Sequence, residues 1–397
     1  MRVGKGVVGG GEEAVRATAR TVEAAARSSE AARIVSGVDD RVASVRRSRK
    51  FGRDTFRGLH ITVHRGYVVG AQARVHIRVT EAPIMDEDAA GIPYVDILWL
   101  NLRKYAALSL PGLRLTVTIG EESVDAVTGR HGIVAVTVPV DPDLAPGWHD
   151  VVVSAQPEGE NVEAVSATGQ VLKPHPEADL AVVSDIDDTI IRTGLTDRLT
   201  ALRRALFRDA HSRQAVPGMA SLYRGLARGI RRRDGSAPPE RAFHYVSTGS
   251  WAFYEMLVQF QQLRAFPRGP MFLTDWGPTE KYITRSGIEH KRGALCRLFE
   301  GYSDTRFVLI GDSGESDPIV YGEMAERFTD RVECILIVLA DPDNAERAEE
   351  LAGIAETSPV PLLVVADARE AAHLLHERGI IDRDTIDEVT VEVAARI

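Results

Sequence analysis

The sequence predicts an α/β protein, a doubly wound and mostly parallel sheet preceded by an all-β sandwich. Three observations carry this. From about residue 178, short apolar runs alternate with helical segments, the signature of a parallel sheet buried on both faces. From 56 to about 172, apolar residues instead recur at period two between turn signals, as in half-buried antiparallel strands. The length, 397 residues, suits two or three domains.

Residues 1–54 form the first segment, rich in Ala, Arg and Glu over 12–50. Val15, Val22 and Ile34 lie at rough helical spacing and predict a weakly amphipathic helix or two. The basic run Arg46-Arg47-Ser48-Arg49-Lys50 is read first as a solvated face and second as a contact for an anionic membrane. Gly4-Lys5-Gly6-Val7-Val8-Gly9 fits a nucleotide-loop string but has no room for a preceding strand, so it is set aside.

Residues 55–173 form the second. Leu59, Ile61 and Val63 alternate with polar residues, as do Val75, Ile77 and Val79, then Leu113, Leu115, Val117 and Ile119. Gly129-Arg130-His131-Gly132 predicts a hairpin turn, and Pro146-Gly147 precedes a further strand. His60, His64 and His76 lie along strands and are read as ordinary surface or core residues.

Residues 174–397 form the third, with apolar strands near 180–184, 243–247, 271–273, 307–310, 334–339 and 362–365. Helical periodicity marks 217–230, 250–264, 289–300 and 315–328. The stretch beyond 358 is expected to add a strand and helices at the edge of the sheet.

Ligands of such sheets sit at the carboxyl ends of strands, so chemistry is sought there. The first strand ends in Asp185-Ile186-Asp187-Asp188-Thr189. Folding alone disfavours three carboxylates in four residues, and a divalent cation held by oxygens relieves their repulsion. The second ends in Ser247-Thr248-Gly249-Ser250, whose hydroxyls and N–H groups suit either phosphoryl oxygens or a helix cap. His290-Lys291 stands at the start of a predicted helix, where Lys291 could neutralise a phosphoryl group; Lys281 competes for that role. The fourth strand runs into Gly311-Asp312-Ser313-Gly314-Glu315-Ser316-Asp317, again acids and glycines.

In this order the four features resemble the signature motifs of the haloacid dehalogenase-like (HAD) phosphohydrolases. A narrower resemblance is to the phosphatidate phosphatase family named after an actin-patch protein. It is carried by residues 184–190, Pro217-Gly218, Thr274-Asp275-Trp276-Gly277, His290-Lys291 and 309–318 with Tyr321. Arg65-Gly66-Tyr67 and Pro146-Gly147-Trp148-His149 are similar to the β-domain of its bacterial members, so the likeness covers about 57–340. One departure is Ser250 before Trp251, where the family often has Pro; it bears on the substrate-side loop.

The resemblance implies a HAD-like fold and a Mg²⁺-dependent phosphomonoesterase with an aspartyl-phosphate intermediate. Asp185 would be the nucleophile, and Asp187 the general acid and then base, held by Thr189. Mg²⁺ would take the Asp185 carboxylate, the Asp187 carbonyl, Asp312 and Asp317. Ser247 and Lys291 would stabilise the phosphoryl group, with Thr189, Thr248 and Gly249 beside it. The expected substrate is phosphatidate or a related lipid phosphate; the alternatives are a soluble or nucleic-acid-end phosphomonoester, and a catalytically silent scaffold. Asp185, Asp187 and Asp312 are all present, which disfavours the scaffold.

The net charge of −9 disfavours general nucleic-acid binding. Two cysteines exclude a disulfide framework and fit a reducing compartment. With neither a signal-peptide pattern nor a long apolar run, the expected location is cytoplasmic, with peripheral contact at the inner membrane face. Charge is uneven along the chain. Residues 198–241, read as a basic helical insertion, hold 11 arginines against 3 acids, whereas 311–397 hold 21 acids against 7 arginines. The insertion could meet an anionic lipid surface or another polyanionic phosphoester.

Overall fold

Alternation along the first strands appears directly in their burial. The strands are β1 (Leu59–Val63), β2 (Gly66–Val69), β3 (Gln72–Glu81), β4 (Arg114–Ile119), β5 (Glu122–Val127), β6 (Ile133–Pro139), β7 (Gly147–Ala155) and β8 (Val165–Lys173). Ile61, Val75, Ile77, Leu115 and Val117 are buried, while their neighbours reach solvent; at the end of β3 the alternation gives way to the buried run Val79, Thr80 and Glu81. The eight strands form one mixed sheet in the order β1-β3-β2-β8-β7-β4-β5, with β6 on β3. Every pair is antiparallel except β2–β8, where Gly66 faces Val171 and Tyr67 faces Leu172. Periodicity specifies which face a residue takes, and this parallel pairing lay beyond it.

The computed structural model describes residues 58–81, 109–129, 131–155, 164–191, 215–232, 234–274, 280–314, 316–341 and 343–395, without the side chains of 280–286. The chain divides into two units, Met1–Arg57 with Trp276–Gly287, and Gly58–Asp275 with Ile288–Ile397. Of the first, only the helical backbone of 280–287 is described. The helix expected over 12–50, the basic run 46–50 and residues 198–214 of the insertion lie outside the described residues.

The second sheet is wholly parallel. Strands β9 (Leu180–Ser184), β10 (Phe243–Ser250), β11 (Met271–Thr274), β12 (Arg306–Asp312), β13 (Val332–Val338) and β14 (Leu362–Val365) take the order β11-β10-β9-β12-β13-β14. Helices cover both faces. Val182, Tyr245, Ile310 and Leu336 pack with α1 (Met219–Arg228), α2 (Tyr254–Leu263), α6 (Ala368–Glu377) and α7 (Arg383–Ala394). Val183, Val246, Leu309 and Ile337 pack with α3 (Glu280–Gly301), α4 (Asp317–Arg327) and α5 (Ala345–Thr357). Burial on both faces is why these strands read as continuous apolar runs. From β9 the chain runs outward through β10 and β11, then returns to β12 on the other side of β9. The order therefore reverses between β9 and β12, where the crevice for a ligand belongs. β14 lies at the edge, as expected.

Two expectations are corrected. Helix α3 starts at Glu280, so Lys291 sits in its middle and not at its start. Gly287 costs about 1 kcal/mol inside a helix, less than burying Ala294, Leu295, Leu298 and Phe299 returns. Strand β10 runs on to Ser250, so Ser247 belongs to a strand and does not open a helix. The cap is Ser250, whose hydroxyl accepts from the Ala252 N–H at 3.3 Å and starts a 3₁₀ turn, Trp251–Phe253. Pairing of Ser250 with Thr274, past a register shift, draws the strand out.

The mixed sheet meets this layer at α2. His64 is buried and stacks on Trp251 at 4.2 Å, with His76 stacked on the same ring at 5.1 Å. The Arg65 N–H donates to the Tyr254 hydroxyl at 2.7 Å, and His60 lies 2.8 Å from Glu255. The strand histidines are packing residues of this junction.

Arginines of the 198–241 stretch are partly absorbed by structure. Arg241 is buried, bidentate to Asp179 at 2.7 and 2.6 Å, and donates to the carbonyls of Leu226 and Ile380. Arg228 pairs with Glu388 at 2.8 Å.

Two stability predictions follow from this packing. A Cβ on Gly225 would meet the Thr385 side chain at 2.2 Å, so α1 and α7 cross in near backbone contact. Gly225→Ala is expected to lower stability by about 1–3 kcal/mol, with part recovered in Gly225→Ala/Thr385→Ala, both read by urea denaturation. Burial pushes His244 down to about 3 and His64 well below its usual value. Both are neutral in the fold, whereas the unfolded chain takes up protons below about 6.5. Stability is therefore full above that pH and falls as pH drops toward 3, by up to about 1.4 kcal/mol per unit for each histidine. Urea denaturation at pH 7, 6 and 5 measures the slope, and His244→Phe should flatten it.

Candidate active site

The crevice between β9 and β12 collects the acids. Asp185 follows β9, Asp312 ends β12 and Asp317 opens α4; at most 1% of each is exposed. One oxygen from each lies within 4.8 Å of the others. Lys291 reaches them from the middle of α3 with no exposed surface, its Nζ donating to Asp185 Oδ1 at 2.7 Å and Asp317 Oδ1 at 2.5 Å.

Backbone contacts set this geometry. The Asp185 N–H donates to the Ile310 carbonyl at 2.8 Å, locking the end of β9 to β12. The turn after it closes with Asp188 N–H to Ile191 O at 2.8 Å, which puts Asp188 at φ 52°, a region Asp tolerates better than most residues. Asp312 Oδ1 accepts from the Gly314 N–H at 2.5 Å, and Asp317 Oδ2 from the Asp312 N–H at 3.3 Å. A Cβ on Gly311 would stand 2.3 Å from Asp317 Oδ2. Only glycine lets that carboxylate return over the strand.

The remaining candidates surround this trio. Asp187 is only partly buried, unlike the other three acids, and its Oδ2 accepts from Ser247 Oγ at 3.2 Å. Ser247 Oγ also accepts from the Gly249 N–H at 2.9 Å. Thr274 Oγ1 bonds the carbonyls of Thr248 and Gly249 at 2.9 and 3.2 Å, which fixes the loop those residues form. Thr189 is fully buried, and its hydroxyl has no hydrogen-bond partner among the described residues, Asp187 included. The Lys281 side chain lies outside the described residues.

Sequence reasoning met Ser184, Thr274 and Tyr321 only as residues that carry a family resemblance, without a role in the site, and assigned Tyr223 none. Tyr223 OH lies 2.8 Å from Ser184 Oγ, and Tyr321 OH donates to the Ile310 carbonyl at 3.1 Å. Burial pushes both phenols up, and Asp185 and Asp317 add to it, so both stay protonated. One local signal existed. Ser184 ends a strand whose other residues are all apolar and buried, and such a hydroxyl requires a partner.

The donor set fits a hard divalent cation. Among the described residues, three buried carboxylates gather about one lysine, which bonds Asp185 and Asp317, and all metal-donor atoms are oxygens. A magnesium ion suits that charge and donor type. The acidic trio could hold it, with Lys291 paired to Asp185 and Asp317.

Residues 180–338 match the family described as phosphatidate phosphatase APP1, catalytic domain. This segment is similar to the APP1-type catalytic domain. The match runs from the first residue of β9 to the last of β13 and contains every candidate site residue. Over 257 residues the chain is 27% identical to Phosphatidate phosphatase APP1 of Saccharomyces cerevisiae, spanning 62% of this chain and 41% of that protein. Over 188 residues it is 23% identical to an uncharacterized Schizosaccharomyces pombe protein, spanning 45% of this chain and 29% of that one. The matches thus cover less than half the length of these curated relatives. Among solved structures, chitinase ChiW of Paenibacillus sp. str. FPU-7 is 10% identical over 79% of this chain and 33% of that chain, with a TM-score of 0.19, which defines no shared fold.

Lys291→Met would strand buried carboxylates without their ammonium. With metal chelated at pH 7.5, it is expected to cost about 3–5 kcal/mol in urea denaturation, and a loss below 1 kcal/mol would contradict the pairing. Gly311→Ala should weaken magnesium binding at least tenfold by displacing Asp317, read by calorimetry on folded protein.

Proposed function

We propose that this protein is a Mg²⁺-dependent phosphomonoesterase of HAD-like fold, preceded by a β-sandwich domain, that acts on phosphatidate or a related lipid phosphate. The carrying observation is the buried Asp185, Asp312 and Asp317 trio around Lys291 at the switch point, inside the APP1-type segment. The named activity of the yeast relative supports the substrate class. We take 1–54, 55–173 and 174–397 as the domains.

In this reading the Asp185 carboxylate attacks phosphorus. The P–O bond to the alcohol breaks, and Asp187 gives its proton to the departing oxygen. Asp187 then takes a proton from the water that attacks the aspartyl-phosphate, releasing phosphate and freeing Asp185. Its partial exposure suits this exchange with solvent. Ser247, the Gly249 loop and Lys291 would hold the phosphoryl oxygens, with Thr248 and Thr189 supporting the walls. Asp185, Asp312, Asp317 and the Asp187 carbonyl would hold Mg²⁺, which would supply positive charge against the phosphoryl group. Among the described residues no helix is long and apolar enough to cross a membrane. A lipid substrate would be met from the surface, and the basic stretches 46–50 and 198–241 are the candidates for that contact.

Phosphate release from phosphatidate vesicles is the test. Activity should require Mg²⁺, vanish with chelator and fall at least 1,000-fold in Asp185→Asn, which still folds. Equal turnover by wild type and Asp185→Asn would refute the mechanism. Better turnover of soluble phosphomonoesters, without vesicle binding, would refute the lipid substrate.

A further inference from the structure

A chain of hydrogen bonds runs from the core to the backbone of Asp185. Ser184 Oγ lies 2.5 Å from the Asp185 carbonyl oxygen, which can only accept. The single Ser184 proton is thereby committed to that carbonyl. Tyr223 OH, 2.8 Å from Ser184 Oγ, must then be the donor in its own bond. The relay thus has one direction, from Tyr223 to Ser184 to the Asp185 carbonyl.

Each member is held firmly. Ser184 and Tyr223 have no exposed surface. The Tyr223 ring packs 5.5 Å from Phe243 and 5.4 Å, edge-on, from Phe266. On the other side of the Asp185 Cα, its N–H donates to the Ile310 carbonyl at 2.8 Å, and that carbonyl's second lone pair takes the Tyr321 hydroxyl at 3.1 Å. Both peptide groups flanking Asp185 are therefore held, one by the Ser184 hydroxyl and the other by the Ile310 carbonyl, although the residue lies beyond the end of its strand. Fixing both peptides fixes φ and ψ, and so the direction in which the carboxylate leaves the chain.

We infer that Tyr223 and Ser184 are positioning residues that aim the Asp185 carboxylate through its backbone carbonyl, with Tyr223 acting only by way of Ser184. The inference rests on the phosphatase reading above. Apolar packing around Asp185 does not require the pair, since Val or Ala at 184 with Phe at 223 would fill the same space without polar groups. A nucleophile displaced by about 1 Å can lose about 100-fold in rate.

The test is a double-mutant cycle of Ser184→Ala, Tyr223→Phe and the pair, beside wild type and Asp185→Asn, assayed on phosphatidate vesicles with Mg²⁺. Each single variant is expected to lose about 10- to 100-fold in kcat with KM changed less than twofold. Because the relay is serial, the double variant should lose no more than Ser184→Ala alone. Hydrogen exchange of the Asp185 amide in metal-free protein should quicken at least tenfold in each variant, while the Val153 amide stays unchanged. Multiplying losses, or near wild-type kcat in Ser184→Ala, would overturn the relay while leaving the phosphatase reading intact. A wild type as inactive as Asp185→Asn would overturn that reading, and the relay with it. If Tyr223→Phe fails to fold, Ser184→Ala decides alone, with Ser184→Thr expected to restore most of kcat if the hydroxyl is what matters.

Discussion

Three carboxylates buried within 4.8 Å of one another are the constraint on which the rest of this architecture turns. Mutual repulsion in a dry crevice would expel them without compensating charge. Lys291 supplies one positive charge from a helix long enough to carry it across the end of the sheet. The reversal of strand order brings two strand ends side by side, so acids remote in sequence share one crevice. Gly311 gives up its side chain to let the last of them in.

The supporting structure is polar where it touches these acids and apolar elsewhere. Tyr223 and Tyr321 place large rings in the core while their hydroxyls reach Ser184 Oγ and the Ile310 carbonyl, on either side of Asp185. The contrast with Asp187 is informative. It shares the turn with Asp185 but stays partly open to solvent, bonded to Ser247. Two neighbouring acids thus occupy different surroundings, which suits them to different tasks.

Much of this was legible in the sequence because the signals were local. The D-x-D-x-T turn, the Gly311–Asp317 run and the apolar strands each announce themselves within a few residues. Burial faces of β1, β3 and β4 followed from period two. What was not legible depended on partners far along the chain. The parallel β2–β8 pairing joins strands about a hundred residues apart. Tyr223 meets Ser184 across 39 residues, and only the oddity of a serine in an apolar strand hinted at it. Lys291 was placed at a helix start because helical periodicity was read only from 289, whereas the helix begins at Glu280. Arg241 read as surface charge, yet its fork is consumed by Asp179 and two carbonyls.

The junction at Trp251 carries a consequence for modularity. That ring stands four residues beyond Ser247 and is covered by histidines from the mixed sheet. At the other end, Thr385 of α7 lies against Gly225 of α1, well past the last matched residue. The family match spans 180–338, but the packing that supports that stretch is wider on both sides. Excising 180–338 alone would strip a wall from the loop that carries Ser247 and a cover from α1, so the matched segment and its packing have different borders in this chain.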